Sequence, residues 1–224
     1  MVTTSPTAVR ARALRLDGPR GVVFGPIDLD IPVGQASALV APAHSGRTSL
    51  LLACAGRLAP TTGDLEVLGA SLPRRRRWVQ SQSALANFHG IDSPDQGLRV
   101  RELVNERAGL LVPMWRRPAW FGDPPVQEAF RTVFGDEQAP DGDLQIWHLQ
   151  PLAVARLRLV LALLGAPRLV VVDDVDSVRD PADQAALWRG FQRVALTGTT
   201  VIAATSASGP VPADIPCISM EAHS

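Results

Sequence analysis

Residues 39–56 read LVAPAHSGRTSLLLACAG, in which an apolar segment is followed by a Ser-Gly turn and then by an apolar stretch of helical composition. This arrangement matches a phosphate-binding loop, whose pattern is G-x-x-x-x-G-K-[ST] between a strand and a helix. In that register Ala41 replaces the first glycine, Gly46 is the second glycine, Arg47 replaces the lysine and Thr48 supplies the hydroxyl. The stretch therefore predicts a phosphate site in which two of the usual residues have changed.

Each position of such a loop has a physical task. Glycines allow backbone N–H groups to approach phosphate oxygens, and the N-terminus of the following helix favours negative charge. An arginine keeps the positive charge of the lysine, but its planar fork is not a direct replacement for a compact ammonium group. The predicted nucleotide-binding residues of the loop are Ala41, Ser45, Gly46, Arg47, Thr48 and Ser49.

Composition limits the class of protein. The 22 basic residues are all arginine and balance 22 acidic residues, so no global field indicates a nucleic-acid partner. A hydrophobic content of 46% with 20% charged residues is ordinary for a folded domain. The longest apolar run, residues 157–165, contains Arg158 and is too short to span a bilayer.

Two further observations concern the cellular compartment. The N-terminal stretch MVTTSPTAVRARALRL lacks the apolar core of a signal peptide. Cys54 and Cys217 lie in apolar segments that suit buried thiols in a reducing environment, and neither has the partners of a metal site. The sequence therefore predicts a cytoplasmic protein.

Segments of β type alternate with segments of helical pattern. The uninterrupted apolar run LVVVD at 169–173 is typical of a strand that is buried on both faces of a parallel sheet. Asp180-Pro181 predicts a helix start, with an N-cap followed by proline in the first turn. The predicted strands are 13–16, 22–24, 27–31, 36–41, 65–68, 169–173 and 200–205, and the predicted helices are 48–57, 100–108, 151–165 and 181–196. This order predicts an α/β fold with a mainly parallel central sheet and an antiparallel β edge layer near the N-terminus.

The composition changes between about residue 110 and residue 149, where prolines and acidic residues accumulate. The tryptophans of this region are Trp115, Trp120 and Trp147. We interpret it as part of a small helical subdomain with short helices, inserted into a single domain over 1–224. The predicted ranges are 1–82 and 154–224 for the core with its edge layer, and 83–153 for the helical subdomain.

Beyond the loop, the sequence resembles the nucleotide-binding domain of ABC transporters along nearly its full length. The segment 167–188 is similar to the family's Walker B strand and D-loop, and 197–208 is similar to the strand that carries its switch histidine. The matching segments, in the family's order, are 27–42, 50–69, 98–104, 167–188 and 197–208. The resemblance implies a P-loop NTPase fold with ATP and Mg as cofactors.

The resemblance also implies roles for individual residues. Thr48 and Asp173 match the magnesium-binding positions, and Asp174 stands where the family has its catalytic glutamate. Ser206 stands at the position of the switch histidine, so the group that contacts the γ-phosphate is absent there. The glutamine-loop position is open between Gln80 and Gln82.

Two recognition elements of the family differ more strongly. The segment 149–153 reads LQPLA where the signature LSGGQ is expected, so both glycines and the hydroxyl are lost and Pro151 lacks an N–H. Asp17 or Gly18 stands where an aromatic residue stacks on adenine. Because each lost charged hydrogen bond costs about 1.5–3 kcal/mol, we expect ATP hydrolysis to be weak or absent.

Three functions follow as alternatives. The first is an ATP-binding subunit of a membrane transporter, lying at the inner face of the membrane through a separate membrane-spanning subunit and pairing with itself or with another ABC domain. The second is a scaffold or regulatory subunit that no longer depends on nucleotide. The third, a small kinase-like P-loop enzyme, is disfavoured by the segment 50–69 and by the D-loop register.

Several residues have a structural interpretation beside a functional one. His44 within the loop is expected to fill space, and His148 to lie at the surface or cap a helix. The run 74–77, RRRR, is expected to be a solvated turn before a strand, because one short cluster on a neutral chain supplies little field. Trp115 and Trp120 pack within the subdomain or form the face that receives a membrane subunit.

Overall fold

The computed structural model describes residues 6–113 and 115–220. The strands of this part of the chain are β1 (Thr7–Gly18), β2 (Gly21–Pro32), β3 (Ala36–Val40), β4 (Thr62–Val67), β5 (Ala70–Leu72), β6 (Ser83–Ala86), β7 (Leu169–Val172), β8 (Thr200–Thr205) and β9 (Cys217–Ser219). The helices are α1 (Arg47–Cys54), α2 (Arg76–Gln82), α3 (Val100–Leu111), α4 (Pro124–Phe134), α5 (Pro151–Leu163) and α6 (Pro181–Leu196). Short 3₁₀ turns lie at Ile146–His148 and Val175–Ser177.

A parallel sheet forms the centre of the fold, with strand order β6-β7-β8-β3-β9. All residues of β7 are buried, and they alternate between two hydrophobic clusters on the two faces of the sheet. Val170 and Val172 pack toward α4, α5 and α6, whereas Leu169 and Val171 pack toward α1 and the N-terminal strands. The continuous apolar run is therefore explained by burial on both faces.

A second, antiparallel sheet has the order β2-β1-β4-β5 and packs on the side of α1. It is the predicted edge layer, although the segments predicted at 22–24 and 27–31 are one long strand, β2. The predicted fold class, with a mainly parallel sheet, an antiparallel layer and a group of helices, is confirmed.

The turn before α1 lies close against the antiparallel sheet, and the N-terminus of α6 is capped by a side chain. Gly46 has φ +82°, and a Cβ at this position would lie 2.1 Å from the carbonyl oxygen of Val23 in β2. Only glycine fits there, because an added side chain would collide with backbone. The start of α6 was correctly predicted, since the Asp180 carboxylate accepts hydrogen bonds from the N–H groups of Ala182 and Asp183.

The structure corrects three expectations. The predicted core boundary after residue 82 is wrong, because β6 pairs with β7 in the central sheet and belongs to the core. Cys217 is exposed rather than buried, since it lies on the edge strand β9, whereas Cys54 is buried and its burial raises the pKa of the thiol to about 12. The arginine run is not only a turn, because its last two residues begin α2.

Within residues 6–113 and 115–220, no helix combines the length and the apolar character that crossing a membrane requires.

Trp188 provides a test of the core. Its side chain is fully buried on α6 and meets Phe191 edge to face, with ring centroids 5.2 Å apart. We predict that Trp188→Ala lowers the free energy of unfolding by about 3–5 kcal/mol, because truncation leaves a cavity. Urea denaturation followed by circular dichroism measures this change.

Leu196→Ala on the same helix is the matched control, because Leu196 is 86% exposed. It should change the free energy of unfolding by less than about 0.5 kcal/mol. Equal effects of the two substitutions would contradict the assignment of Trp188 to the core.

Candidate functional site

The loop between β3 and α1 lies at the carboxyl ends of the parallel strands. The Ala41 N–H donates to the carbonyl of Thr205, 3.0 Å away, which places the loop beside the end of β8. His44 and Gly46 both have positive φ, +63° and +82°, and α1 begins at Arg47. A turn of this kind directs the N-terminus of a helix toward the sheet edge where open α/β folds bind ligands.

The predicted magnesium ligands are brought together. The Thr48 hydroxyl donates to Asp173 Oδ2 at 2.6 Å, although the two residues are far apart in sequence. Asp173 is 6% exposed, and its other oxygen, Oδ1, is buried without a hydrogen-bond partner among the described residues. A hydroxyl beside a buried carboxylate with an unused oxygen fits Mg²⁺, a hard cation that prefers oxygen ligands.

Other residues of the loop differ in exposure. Ser45 is buried, and its hydroxyl has no hydrogen-bond partner among the described residues. Ser49 is half-buried in the first turn of α1, and His44 is exposed. Within the described part of the chain, the site therefore contains two buried polar groups without a partner, Ser45 Oγ and Asp173 Oδ1.

Arg47 lies folded against the loop and against two carboxylates. Its Nη1 donates to the Ala41 carbonyl at 3.0 Å and to Asp176 Oδ2 at 3.2 Å. Its Nη2 lies 3.6 Å from Asp174 Oδ1, and the side chain is only 13% exposed. The guanidinium is therefore held by three oxygens of its own chain.

Asp174 follows β7 in a left-handed conformation with φ +46°. Desolvation raises the pKa of its carboxyl, Asp173 and Asp176 add to this increase, and Arg47 opposes it. The side chain remains 45% exposed, so solvent screens these interactions. The structure thus leaves Asp174 accessible beside the pair formed by Thr48 and Asp173.

Asp176 is a site residue that our sequence analysis missed. Its Oδ2 accepts from Arg47 and from the Ser206 N–H, and its Oδ1 accepts from the Thr205 hydroxyl. The only sequence signal is the run DDVD at 173–176, which places a third carboxylate directly after the two that were assigned. Ser206, at the predicted switch position, is exposed and contacts this carboxylate through its backbone.

The two candidate glutamines lie elsewhere. Gln80 donates to the carbonyl of Gly56, and Gln82 donates to the hydroxyl of Ser81, both from α2 before β6. The residue that follows β6 is Asn87, which the sequence analysis missed and which, unlike the two glutamines, contacts the backbone of Asp173 and Asp174.

Asn87 connects the carboxylates to α5. Its Nδ2 donates to the backbone carbonyls of Asp173 at 3.0 Å and of Asp174 at 2.7 Å. Its Oδ1 accepts from Arg158 Nη1 at 2.7 Å. The side chain is buried and uses both its donor and its acceptor, so it links the backbone at the end of β7 to α5.

The signature segment lies apart from the loop within one chain. Gln150 occupies the N-cap position of α5 without a capping hydrogen bond from its side chain, Pro151 is the first residue of the helix, and no described hydrogen bond joins 149–153 to 41–49. The preceding Trp147 is exposed and donates from Nε1 to His148 Nδ1 at 3.0 Å. At the predicted adenine position, Asp17 pairs with Arg15, which lowers the pKa of the aspartate.

A groove of about 480 Å³ is lined by residues of β6, α3 and α5 and of the segment 91–98. Its lining includes the apolar side chains of Ile91 and Leu110 and the charged side chains of Arg57, Asp92, Arg107 and Arg158. Because Arg158 also contacts Asn87, the groove is linked by hydrogen bonds to the backbone of Asp173 and Asp174. Trp115, 82% exposed, does not pack within the subdomain.

Curated proteins with similar sequences include ATP-binding proteins of export systems. No protein-family model matches the chain. It is 25% identical over 190 residues to the Nod factor export ATP-binding protein I of Paraburkholderia xenovorans, a match that covers 84% of this chain and 59% of that protein. The chain thus spans well under two thirds of the length of this curated relative.

Solved structures share the fold. The structure of cbiO1 from Clostridium perfringens, described as part of an ABC transporter complex, superposes with a TM-score of 0.78 at 17% identity, covering 96% of this chain and 85% of that one. A dimeric bacterial ABC transporter cassette superposes with a TM-score of 0.73 at 14% identity, covering 95% and 94% of the two chains. The resemblance that the sequence predicted is confirmed.

The raised pKa of Asp174 predicts a pH dependence of stability. Because the pKa is raised, the folded state binds the proton of Asp174 more tightly than the unfolded state does. Ionisation of Asp174 therefore lowers the stability of the fold as the pH rises through the raised pKa, and it has no effect well below 3.8, the ordinary pKa of the group. We predict that Asp174→Asn is more stable than the wild type near neutral pH and that the difference disappears on acidification toward about pH 3. Urea denaturation at a series of pH values measures it.

Asp30→Asn is the control of opposite sign. Hydrogen bonding to Arg12 lowers the pKa of Asp30, so this carboxylate stabilises the fold above pH 3.8 and its benefit is lost as the pH falls. The asparagine variant should therefore be less stable than the wild type near neutral pH. The same pH trend for both variants would show that the assigned cause is wrong.

Proposed function

We propose that this chain, which is similar in fold and in sequence to ABC-type nucleotide-binding domains, binds Mg-ATP at the loop 41–48. We further propose that this binding is coupled to separate membrane-spanning subunits. The coupled partner is expected to be a transporter subunit, and the second nucleotide-binding domain of the assembly is either a copy of this chain or another ABC domain. The dimeric cassette with the same fold supports this pairing.

The observation that carries the proposal is the contact between Thr48 and Asp173. The hydroxyl at the start of α1 meets a buried carboxylate that keeps one oxygen unpaired. An unpaired buried carboxylate oxygen is costly unless a ligand satisfies it. A bound Mg²⁺ would satisfy it and would neutralise phosphate charge, while the N–H groups of the loop and the N-terminus of α1 hold the phosphates.

Hydrolysis is proposed to be slow. Asp174 is one methylene shorter than the glutamate of the family, so its reach toward an attacking water is reduced. Ser206 carries no imidazole, and Arg47 is shared among Ala41, Asp174 and Asp176 rather than being free for phosphate. Each missing transition-state contact lowers a rate by about a hundredfold or more.

The groove supports the coupling part of the proposal. Its apolar residues suit a helix of a partner, and its charged rim contains Arg158, which donates to Asn87. Asn87 in turn binds the carbonyls of Asp173 and Asp174. A partner that moves Arg158 would thereby act on the backbone of Asp173, the proposed metal ligand, and of Asp174.

The second candidate function is a scaffold that does not depend on nucleotide. The contacts of Arg47 favour it, because three oxygens of the chain already occupy the only basic side chain of the loop. The segment LQPLA at 149–153 also supports it, because it lacks the glycines of a phosphate-binding signature. The two functions differ in whether Mg-ATP stabilises the fold.

We therefore predict that Mg-ATP raises the melting temperature of the purified chain. At a ligand concentration of one hundred times Kd the added stability is about 2.7 kcal/mol. Thr48→Ala should reduce or remove the shift, because it deletes the hydroxyl beside Asp173. Differential scanning fluorimetry with and without Mg²⁺ measures the effect.

Thr62→Ala is the matched control, since Thr62 is an exposed threonine of β4. It should leave the shift unchanged. A melting temperature that does not respond to millimolar Mg-ATP in either the wild type or the control would favour the scaffold.

A second prediction concerns turnover. The double variant Asp174→Glu with Ser206→His restores the two family side chains and should hydrolyse ATP at least about a hundredfold faster than the wild type. Asp174→Ala should abolish whatever turnover the wild type has. Asp64→Glu, the same substitution at an exposed position of β4, controls for nonspecific effects. A wild-type rate equal to that of the restored variant would overturn the proposal of slow hydrolysis.

A further inference from the structure

We propose that Asp176 is a positioning residue that holds Arg47 in a carboxylate-bound state, so that a phosphate of the nucleotide competes with Asp176 for Nη1 of the guanidinium. The inference rests on the proposed function, because it concerns the same phosphate site. It adds a competition within the chain that sets the affinity of the site.

The Asp176 carboxylate is held in a fixed orientation. Oδ1 accepts from the Thr205 hydroxyl at 2.8 Å, and Oδ2 accepts from the Ser206 N–H at 2.8 Å. Both donors lie at the end of β8 and just after it, beside the loop. The carboxylate therefore does not swing freely, and Arg47 meets a preformed acceptor.

The hydrogen bonds of the guanidinium are concentrated on Nη1. Nη1 donates to Asp176 and to the Ala41 carbonyl, whereas Nη2 lies 3.6 Å from Asp174, an ion pair beyond hydrogen-bond distance. With 13% of its side chain exposed, Arg47 is largely withdrawn from solvent. Because charge-assisted hydrogen bonds to a fixed carboxylate are strong, a phosphate oxygen reaches Nη1 only by replacing the hydrogen bond to Asp176 or to Ala41.

The negative charge of the site also disfavours the binding of phosphate. The site brings the three carboxylates of Asp173, Asp174 and Asp176 together with one guanidinium, so its net charge is negative. Asp173 accepts a hydrogen bond from Thr48, and Asp174 is 3.6 Å from Arg47 and half-exposed. Asp176 makes the closer contact of the two with Arg47, at 3.2 Å. It is therefore the carboxylate that competes most directly with a phosphate.

Asp176→Asn tests this competition with little change of shape, because the amide oxygen still accepts a hydrogen bond. Releasing Arg47 from one charged hydrogen bond should tighten the binding of Mg-ATP by about tenfold to a hundredfold. Isothermal titration calorimetry measures Kd for the wild type, Asp176→Asn, Arg47→Ala and the double variant. Asp64→Asn removes one negative charge at an exposed position and should leave Kd unchanged.

The double variant separates positioning from simple repulsion. If Asp176 acts through Arg47, its substitution tightens binding in the wild type and has no such effect when Arg47 is already alanine. An equal gain in both backgrounds would mean that the carboxylate only repels phosphate, and the inference would be overturned. An unchanged or weaker affinity of Asp176→Asn would overturn it as well.

A second variant and a stability measurement test the contact between Arg47 and Asp176 independently of Asp176→Asn. Asp176→Thr, which keeps a hydroxyl acceptor without charge, replaces the asparagine variant if circular dichroism shows that the latter does not fold. A double-mutant cycle of unfolding free energies, without nucleotide, should give a coupling between Arg47 and Asp176 that is clearly different from zero, and a coupling of zero overturns the inference. Failure of both wild type and variant to bind Mg-ATP overturns the proposed function together with it, whereas equal binding overturns the inference alone.

Discussion

The close approach of Gly46 to the backbone of Val23 is the constraint on which the site depends. An added Cβ would lie 2.1 Å from a carbonyl oxygen, so only glycine lets the loop reach this position against β2. From there α1 starts at Arg47 with its N-terminus toward the edge of the parallel sheet. The antiparallel layer is thus a support for the loop as well as a cover for the core.

Around this support, polar side chains from distant parts of the chain converge. Thr48 comes from α1, Asp173 and Asp174 from the end of β7, Asp176 from the turn that follows, and Asn87 from the end of β6. They meet because the carboxyl ends of parallel strands lie at one edge of the sheet. The network extends through Arg158 to the groove lined by α3 and α5, which connects that groove to the backbone carbonyls of Asp173 and Asp174.

The contacts around Arg47 depend on one another. Asp176 accepts a hydrogen bond from this arginine, which stands where the phosphate-loop pattern has a lysine. That carboxylate also accepts hydrogen bonds from the Thr205 hydroxyl and from the backbone N–H of Ser206. A buried arginine without such partners would be costly, which explains why these contacts occur together.

The sequence by itself determined the fold class and the start of α6, because apolar periodicity and capping residues are local signals. Only the tertiary structure decided the rest. Thr48 contacts Asp173, Asn87 rather than Gln80 or Gln82 contacts the backbone of Asp173 and Asp174, β6 belongs to the central sheet, and Asp176 holds Arg47. These depend on which strands lie side by side and which side chains then meet, and no local pattern of residues encodes a contact between positions 47 and 176.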